Sequence, residues 1–393
     1  MKSILDQDLI LKGKKVIVRV DLNVPMKDGA ITESSRIIKI LPTIKLLIEK
    51  KAKIIIFSHI GRPKGKVVNG MSLKPISNKL SDLLNKEVIF NKNVISEKIS
   101  AEINKIKDGS VMMMENIRFY DGEEKNDDTF SKTISNLGDI YVNDAFSCSH
   151  RAHSSIEGIT KYIPSYCGLQ LVEEINALKK ITSEIKRPVT CIIGGSKIST
   201  KIKIISNLIK DFDNIIIVGG MGNAMLKNTG INIGISVCDE GYKNLVGEII
   251  EKSETHNCKI YYPIDVVVSK TLDGNGTIKE ITEVNNDEMI LDIGPKTIES
   301  IKNIINETNT VLWNGPAGYF ENPNFANGTK KILEIIADKR LKDKIYAVAG
   351  GGETVAVINK FNKLNTFNFV STAGGAFLEY LEGKELPGIR ALN

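Results

Sequence analysis

Residues 189–210 read VTCIIGGSKISTKIKIISNLIK. A β-branched apolar run from Val189 to Ile193 stops at two glycines. Beyond Ser196 and Lys197, the isoleucines Ile198, Ile202, Ile205 and Ile209 follow at intervals of four, three and four. The first run has the length and composition of a buried strand, and the second places one apolar stripe along a helix. Strand, glycine turn and helix form the half-unit from which parallel sheets are built.

The same unit recurs on both sides of this stretch. Val16 to Val20, Ile54 to Ser58 and Val111 to Glu115 precede it, and Ile215 to Val218, Thr310 to Trp313, Ile345 to Ala349 and Phe367 to Val370 follow. Strands alternating with helical patterns predict an α/β protein with doubly wound parallel sheets. A chain of 393 residues is long enough for about two such domains. Between them lies LQLVEEINALKKI, Leu169 to Ile181, an apolar helical repeat after which Arg187-Pro188 opens a new strand. The expected division is an N-terminal domain over 1–168, an interdomain helix and hinge over 169–186, and a C-terminal domain from 187 onward.

Composition excludes several classes. With 42% hydrophobic and 25% charged residues the chain is globular rather than disordered or fibrous. The net charge is only +6, and the lysines are scattered among isoleucines and asparagines without interleaved aromatics, which argues against nucleic acid as a partner. Met1 to Leu11 lacks a signal-type apolar core, and no apolar run approaches the roughly 18 residues of a membrane span, so a cytoplasmic location is expected. Cys148, Cys167, Cys191, Cys238 and Cys258 show no C-x-x-C spacing and read as buried free thiols.

Ligands of open α/β sheets bind beyond the carboxyl ends of the strands. In the first half those positions hold Asp21 and Asn23 (RVDLNVP), His59, Gly61 and Arg62 (SHIGRP), Arg118 (ENIRF), and His150, Arg151 and His153 (SHRAHSS), with Arg36 nearby. Arginine forks match carboxylate and phosphate, so a small polyanion would satisfy Arg36, Arg62, Arg118 and Arg151 together. Each arginine taken alone fits a surface salt bridge equally well. The histidines fit a strand end and a loop, and spacing gives them no acid–base role.

The second half instead exposes backbone at Gly194-Gly195-Ser196-Lys197, Gly219-Gly220-Met221-Gly222, Asn314-Gly315-Pro316-Ala317-Gly318, Gly350-Gly351-Gly352-Glu353-Thr354 and Gly374-Gly375. Glycine turns opening helices suit phosphate, which backbone N–H groups and the helix dipole both favour. Lys197 and Lys201 stand at the positive end of such a dipole, where a bound anion would offset their repulsion. No G-x-x-x-x-G-K-[ST] loop or G-x-G-x-x-G fingerprint occurs, and Ala152 follows His150-Arg151 where a protein-kinase catalytic loop needs aspartate. No zinc-type cluster is present.

Taken together, RVDLNVP, SHIGRP, ENIRF, HRAHSS, GGSKISTK, WNGPAGYFE, GGGET and STAGGAFLEYLEGKELPG resemble the phosphoglycerate kinases, in the family's order and essentially end to end. The resemblance implies a monomeric glycolytic phosphotransferase that moves a phosphoryl group from 1,3-bisphosphoglycerate to ADP, giving 3-phosphoglycerate and ATP. Transfer would be direct and in line after domain closure. It implies that Asp21, Asn23, Arg36, His59, Gly61, Arg62, Arg118, His150 and Arg151 bind phosphoglycerate. The nucleotide would take Gly194, Gly195, Ser196, Lys197, Lys201, Gly220, Gly315, Phe320, Glu321 (on the ribose), Gly350, Gly351, Gly352, Glu353 and Thr354. Arg36, Lys197, Gly351 and Gly352 would serve catalysis, magnesium would ride on the nucleotide phosphates, and the tail 379–393 would return to the N-terminal domain, leaving 187–378 for the nucleotide.

The implied chemistry needs no general base, because a carboxylate nucleophile with a pKa of about 3.5 is already ionised at neutral pH. Two positions depart from the family pattern. Glu353 stands where aspartate is usual, leaving direct magnesium coordination, contact through water and simple helix-dipole compensation all open. VGGMGNAML replaces a longer glycine run near the adenine. Two other readings stay available at this point: an inactive relative that binds both ligands, and a nicotinamide-dependent dehydrogenase suggested by fold class and glycine content.

Overall fold

The computed structural model describes the chain apart from Gln7, Asp28, Val94, Ser96 and Lys344. It divides into two compact units, Met1–Ile175 together with Glu385–Asn393, and Asn176–Lys384. The helix Leu169–Thr182 runs across the boundary.

In the first unit six parallel strands lie in the order Val88–Asn91, Val111–Met114, Lys53–Phe57, Lys15–Val20, Ile140–Asp144 and Ser165–Cys167. Alternation along the central strand assigns its side chains. Val16, Val18 and Val20 enter one core with Ile37, Ile44 and Leu47 of the helices Ser35–Lys39 and Leu41–Glu49. Ile17 enters the opposite core with Ile99, Ile103 and Ile134. Each such burial contributes about 1.5–3 kcal/mol before conformational entropy is subtracted. Arg19 follows the alternation to the same side as Ile17 and is fully buried.

Successive strands first add on one side of Lys15–Val20, and Ile140–Asp144 then adds on the other. A crevice therefore opens at the carboxyl end of this strand. The tail closes the same unit: Leu386 and Leu392 are buried, and Gly388 exchanges hydrogen bonds with Ser149 (N–H to O, 2.9 Å) and Asn143 (Nδ2 to Gly388 O, 3.2 Å).

The second unit has the order Lys259–Tyr261, Asn214–Ile217, Val189–Ile193, Thr310–Asn314, Tyr346–Gly350 and Phe369–Ser371, again all parallel. The side on which successive strands add changes between Val189–Ile193 and Thr310–Asn314, which pair in parallel with Ile193 opposite Asn314. The alternation seen in sequence did not anticipate a three-stranded antiparallel sheet, Thr277–Glu280, Asp265–Ser269 and Met289–Ile293, in the same unit.

The stretch 189–210 also differs in detail from its expected single helix. After the glycines comes one 3₁₀ turn, Ile198–Thr200, and only then the α-helix Ile202–Leu208. Asp239 causes the break by accepting hydrogen bonds from Ile198 N (2.6 Å) and Ser199 Oγ (2.6 Å), which ties down the first turn separately. Ile198, Ile205 and Ile209 are buried, while Ile202 is only partly so.

Candidate functional site

Each unit gathers its own set of candidate residues at the carboxyl ends of its strands. In the first unit Asp21 leaves the central strand and is the organising acid. Its Oδ2 accepts from Arg36 Nη1 at 2.7 Å and from the Ser147 hydroxyl, and its Oδ1 accepts from Asn23 N at 3.0 Å. Burial opposes ionisation of Asp21. The Arg36 guanidinium and these hydrogen bonds outweigh it and hold the carboxyl below its ordinary range. Arg36 carries this effect, since His59 is itself neutral.

Asn23 continues the chain of contacts, accepting from Gly61 N through Oδ1 (3.0 Å), and Gly61 O in turn accepts from Arg118 Nη1 (2.9 Å). Arg118 is buried, with Nε 3.3 Å from Glu124. Arg151 Nε donates to His150 Nε2 at 3.2 Å. Arg62 sits beside Gly61, exposed and without an ion pair among the described residues. The structure thus links Asp21, Asn23, Arg36, Gly61 and Arg118 directly, and it places His150 and Arg151 as a second pair.

His59 is buried, its Nδ1 3.1 Å from Arg19 Nη2. Burial, and after it the charge of Arg19, push His59 well below 6.5 despite Asp21. His153 is likewise lowered, to about 3, by burial and then by Arg118 and Arg19. Neither imidazole carries charge at neutral pH.

Arg19 itself escaped the sequence reading. Its Nε donates to Ser155 Oγ (2.9 Å), and Ser155 gives both N–H and hydroxyl to the fully buried carboxylate of Glu123 (2.9 and 2.6 Å). A charged residue inside the apolar run of Lys15–Val20 was the available signal, because such a burial is costly unless the charge is paired. Ser147, which holds Asp21, gave no signal of its own.

Ligand atoms of Asp21, His59 and Cys148 lie within 4.8 Å of one another. They do not suit a cation. Arg19 already donates to His59, Arg36 to Asp21, and burial raises the Cys148 thiol above its ordinary value. The surrounding guanidinium groups suit an anion instead.

In the second unit the change of side between Val189–Ile193 and Thr310–Asn314 is closed by Lys201. Its Nζ donates to Gly194 O at 2.6 Å and Asn314 O at 3.2 Å. Burial lowers the amine to about 8, with Glu353 acting in the opposite direction. Gly194 and Gly315 are forced by this close approach. A Cβ on Gly315, whose φ is +107°, would collide with Gly194 O. Neighbouring turns are laced together by Gly315 N to Thr354 Oγ1 (2.7 Å) and Asn314 Nδ2 to Gly350 O (2.6 Å).

Three helices around this point, Gly220–Asn228, Gly352–Lys360 and Gly375–Leu381, begin after glycine N-caps with no side-chain hydrogen bond to their first turns. In the last two of these helices the leading N–H groups remain available to an anion, whereas in Gly220–Asn228 the Met221 N–H already donates to Gly195 O (3.0 Å). Space around Gly352 is open, as no atom lies within 4 Å of where its Cβ would be. Beside them a pocket of about 240 Å³ is lined by Gly195, Ser196, Gly220, Phe320, Glu321 and Glu353, and by Asn223 and Asp292, which the sequence reading missed. Lys197 is exposed at the start of the 3₁₀ turn, outside that lining.

Residues 6–384 match the family model for phosphoglycerate kinase. The chain is 44% identical over 388 residues to the phosphoglycerate kinase of Maricaulis maris, covering 98% of this chain and 96% of that one. It is 45% identical over 394 residues to that of Dictyoglomus turgidum, covering 100% and 98%. The structure of phosphoglycerate kinase from Coxiella burnetii superposes with a TM-score of 0.91 at 39% identity, covering 98% of this chain and 97% of that one. The enzyme from Pyrococcus horikoshii gives 0.81 at 29% identity, covering 100% and 98%.

Proposed function

This chain belongs to the phosphoglycerate kinase family, and we propose that its two units divide the reaction, phosphoglycerate on the first and nucleotide on the second. The protein is a phosphotransferase moving a phosphoryl group between 1,3-bisphosphoglycerate and ADP, with 3-phosphoglycerate and ATP as products. The observation that carries the nucleotide assignment is Lys201, a half-buried amine held by two backbone carbonyls where the strand order reverses, beside helix N-termini that no side chain caps.

In the ATP-consuming direction a carboxylate oxygen of 3-phosphoglycerate attacks the γ-phosphorus in line, and the bond to the ADP oxygen breaks. No proton leaves the nucleophile. Burial and the nearby guanidinium charges leave His59 and His153 with little affinity for a proton, which supports a mechanism without a general base. Arg36, aimed by Asp21, faces the carboxylate and migrating phosphoryl group. Arg62, Arg118 and Arg151 grip the distal phosphate, with Asn23, Gly61, His59 and His150 completing that site. Lys197, free at its turn, follows the phosphoryl group, while N–H groups at Gly351 and Gly352 take developing charge.

Lys201, Gly194 to Ser196, Gly220, Gly315, Gly350 and Thr354 hold the phosphates, and Phe320 and Glu321 the nucleoside. Glu353, an exposed carboxylate in the first turn of Gly352–Lys360, suits a hard oxygen-seeking ion. Magnesium carried on the nucleotide phosphates would neutralise their charge there. Reaction requires the two ligands to meet, so closure belongs to this reading, with Leu169–Thr182 as the hinge segment. A cytoplasmic monomer belongs to the same reading, and among the described residues no helix is long and apolar enough to cross a membrane.

A coupled assay with 3-phosphoglycerate and MgATP, run beside NMR mapping of each ligand alone, tests the division. Turnover is expected, with 3-phosphoglycerate shifting signals of Arg36 and His59 and ADP those of Lys201. Absence of turnover in protein that binds both ligands, or ADP shifting the arginine set instead, would overturn it.

A further inference from the structure

A parallel sheet starts all its strands at one edge, so stretches far apart in sequence meet there. In the first unit this edge lies opposite the anion site. Gly13 N donates to Lys51 O (3.0 Å) and Lys53 N to Lys14 O (2.8 Å). Nζ atoms of Lys15 and Lys53 both reach Asn104 (3.4 and 3.1 Å), next to Lys105 and Lys107. Residues 10–15, 49–53 and 104–108 are therefore one continuous surface.

Its charge is mainly positive, with Asp139 beside Lys15 (Nζ to Oδ1 3.7 Å) as a counter-charge. Lys12, Lys14, Lys50, Lys51, Lys105 and Lys107 are all exposed and form no ion pair among the described residues. The carboxylates in these stretches are Glu49 and Asp108. The chain as a whole carries only +6, so a large part of its positive excess collects at this edge. Helix dipoles account for Lys50 and Lys105, which end Leu41–Glu49 and Glu97–Lys105. Lys12, Lys14 and Lys107 end no helix. Beside them Ile10 is 74% exposed.

Exposed lysines flanking an exposed aliphatic side chain match the interface of an anionic bilayer, where headgroups attract the ammonium groups and the apolar group enters beneath them. Single-stranded nucleic acid would call for stacking aromatics, and these three stretches contain none. We propose that this edge docks reversibly on an anionic phospholipid surface, leaving the phosphoglycerate site at the other end of the strands free.

Flotation of the full chain with phosphatidylcholine vesicles, with and without about half phosphatidylglycerol, tests this. Binding is expected only to the anionic vesicles, and it should weaken several-fold as salt approaches physiological strength. The triple variant Lys12→Glu, Lys14→Glu, Lys107→Glu should bind more than roughly tenfold more weakly. Ile10→Ser should bind several-fold more weakly. Turnover and melting temperature should stay at the parent values in both. No binding at low salt, undiminished binding by the triple variant, or loss of binding with saturating 3-phosphoglycerate would each overturn the proposal, the last by moving the contact to the arginine site. Tighter binding to duplex DNA than to anionic vesicles would overturn it in favour of a nucleic-acid surface.

Discussion

Nη2 of Arg19 lies 3.1 Å from Nδ1 of His59. A guanidinium only donates, so His59 accepts at Nδ1 and keeps its proton on Nε2, facing away from Arg19. The same arginine neutralises the buried Glu123 through Ser155, so one cation sets both the tautomer of a site histidine and the balance of charge beneath it. His59 should not titrate between about pH 5 and 8 when followed by NMR. Arg19→Met should cost about 3–5 kcal/mol in denaturant unfolding, because it strands Glu123, and should bring His59 back toward its ordinary range. A wild-type His59 titrating near 6.5 would contradict this account.

Nucleotide affinity should fall as pH rises through about 8. Lys201 in the free protein is lowered to that value from 10.5 by burial, and phosphates bind its cationic form. Calorimetry of ADP binding from neutral to alkaline pH should show proton uptake above about 8 in the parent. Lys201→Met should bind ADP more weakly with that uptake gone, and retention of the uptake would assign it to another group.

Asp292 predicts a dependence in the acid to neutral range. Burial raises it from 3.8 to about 7, against hydrogen bonds from Gly328 N and Ile293 N. The folded state then holds a proton that the unfolded chain has released. Stability from this group is full below about 4 and is lost as pH rises through about 7. Asp292→Asn loses one acceptor, costing about 1 kcal/mol, but its melting temperature should decline less between about pH 5 and 8 than the parent's. Parallel declines would show that Asp292 does not titrate there.

Lys197 occupies an exposed turn held by Asp239 and supports no packing. Lys197→Ala should therefore lower kcat by about 10²-fold or more with unchanged unfolding, as expected for a charge that acts in the transition state. Near-normal turnover would remove it from the mechanism. Arg118→Ala should chiefly raise KM for phosphoglycerate, and a large fall in turnover at saturation would reverse that assignment.

Much of this was legible before any coordinates. Val16 to Val20, Ile54 to Ser58 and Val189 to Ile193 announce buried strands because parallel sheets covered on both faces need near-continuous apolar runs. The edge strands Val88–Asn91 and Ser165–Cys167 are short, and Ile140–Asp144 carries Asn143 and Asp144, so their patterns were too weak to read. The family motifs marked Asp21 and the glycine turns, and the resemblance implied Arg36. The motifs contain Arg19 (in RVDLNVP) and Ser155 (in HRAHSS) but gave them no role, and Glu123 lies outside them; the importance of the three arises only where their segments pack. Lysines that looked scattered likewise became a surface only through strand order.

The tail has a consequence for how the protein is made. Leu386, Gly388 and Leu392 complete the first unit, yet they leave the ribosome after the entire second unit. The order of synthesis is thus the reverse of the usual rule that an N-terminal domain finishes first. Throughout translation the nascent first unit carries an open seam along Asn143 and Ser149, next to the segment bearing Ser147 and Arg151. If phosphoglycerate binds the first unit as proposed, its site is finished only after the second unit has been made.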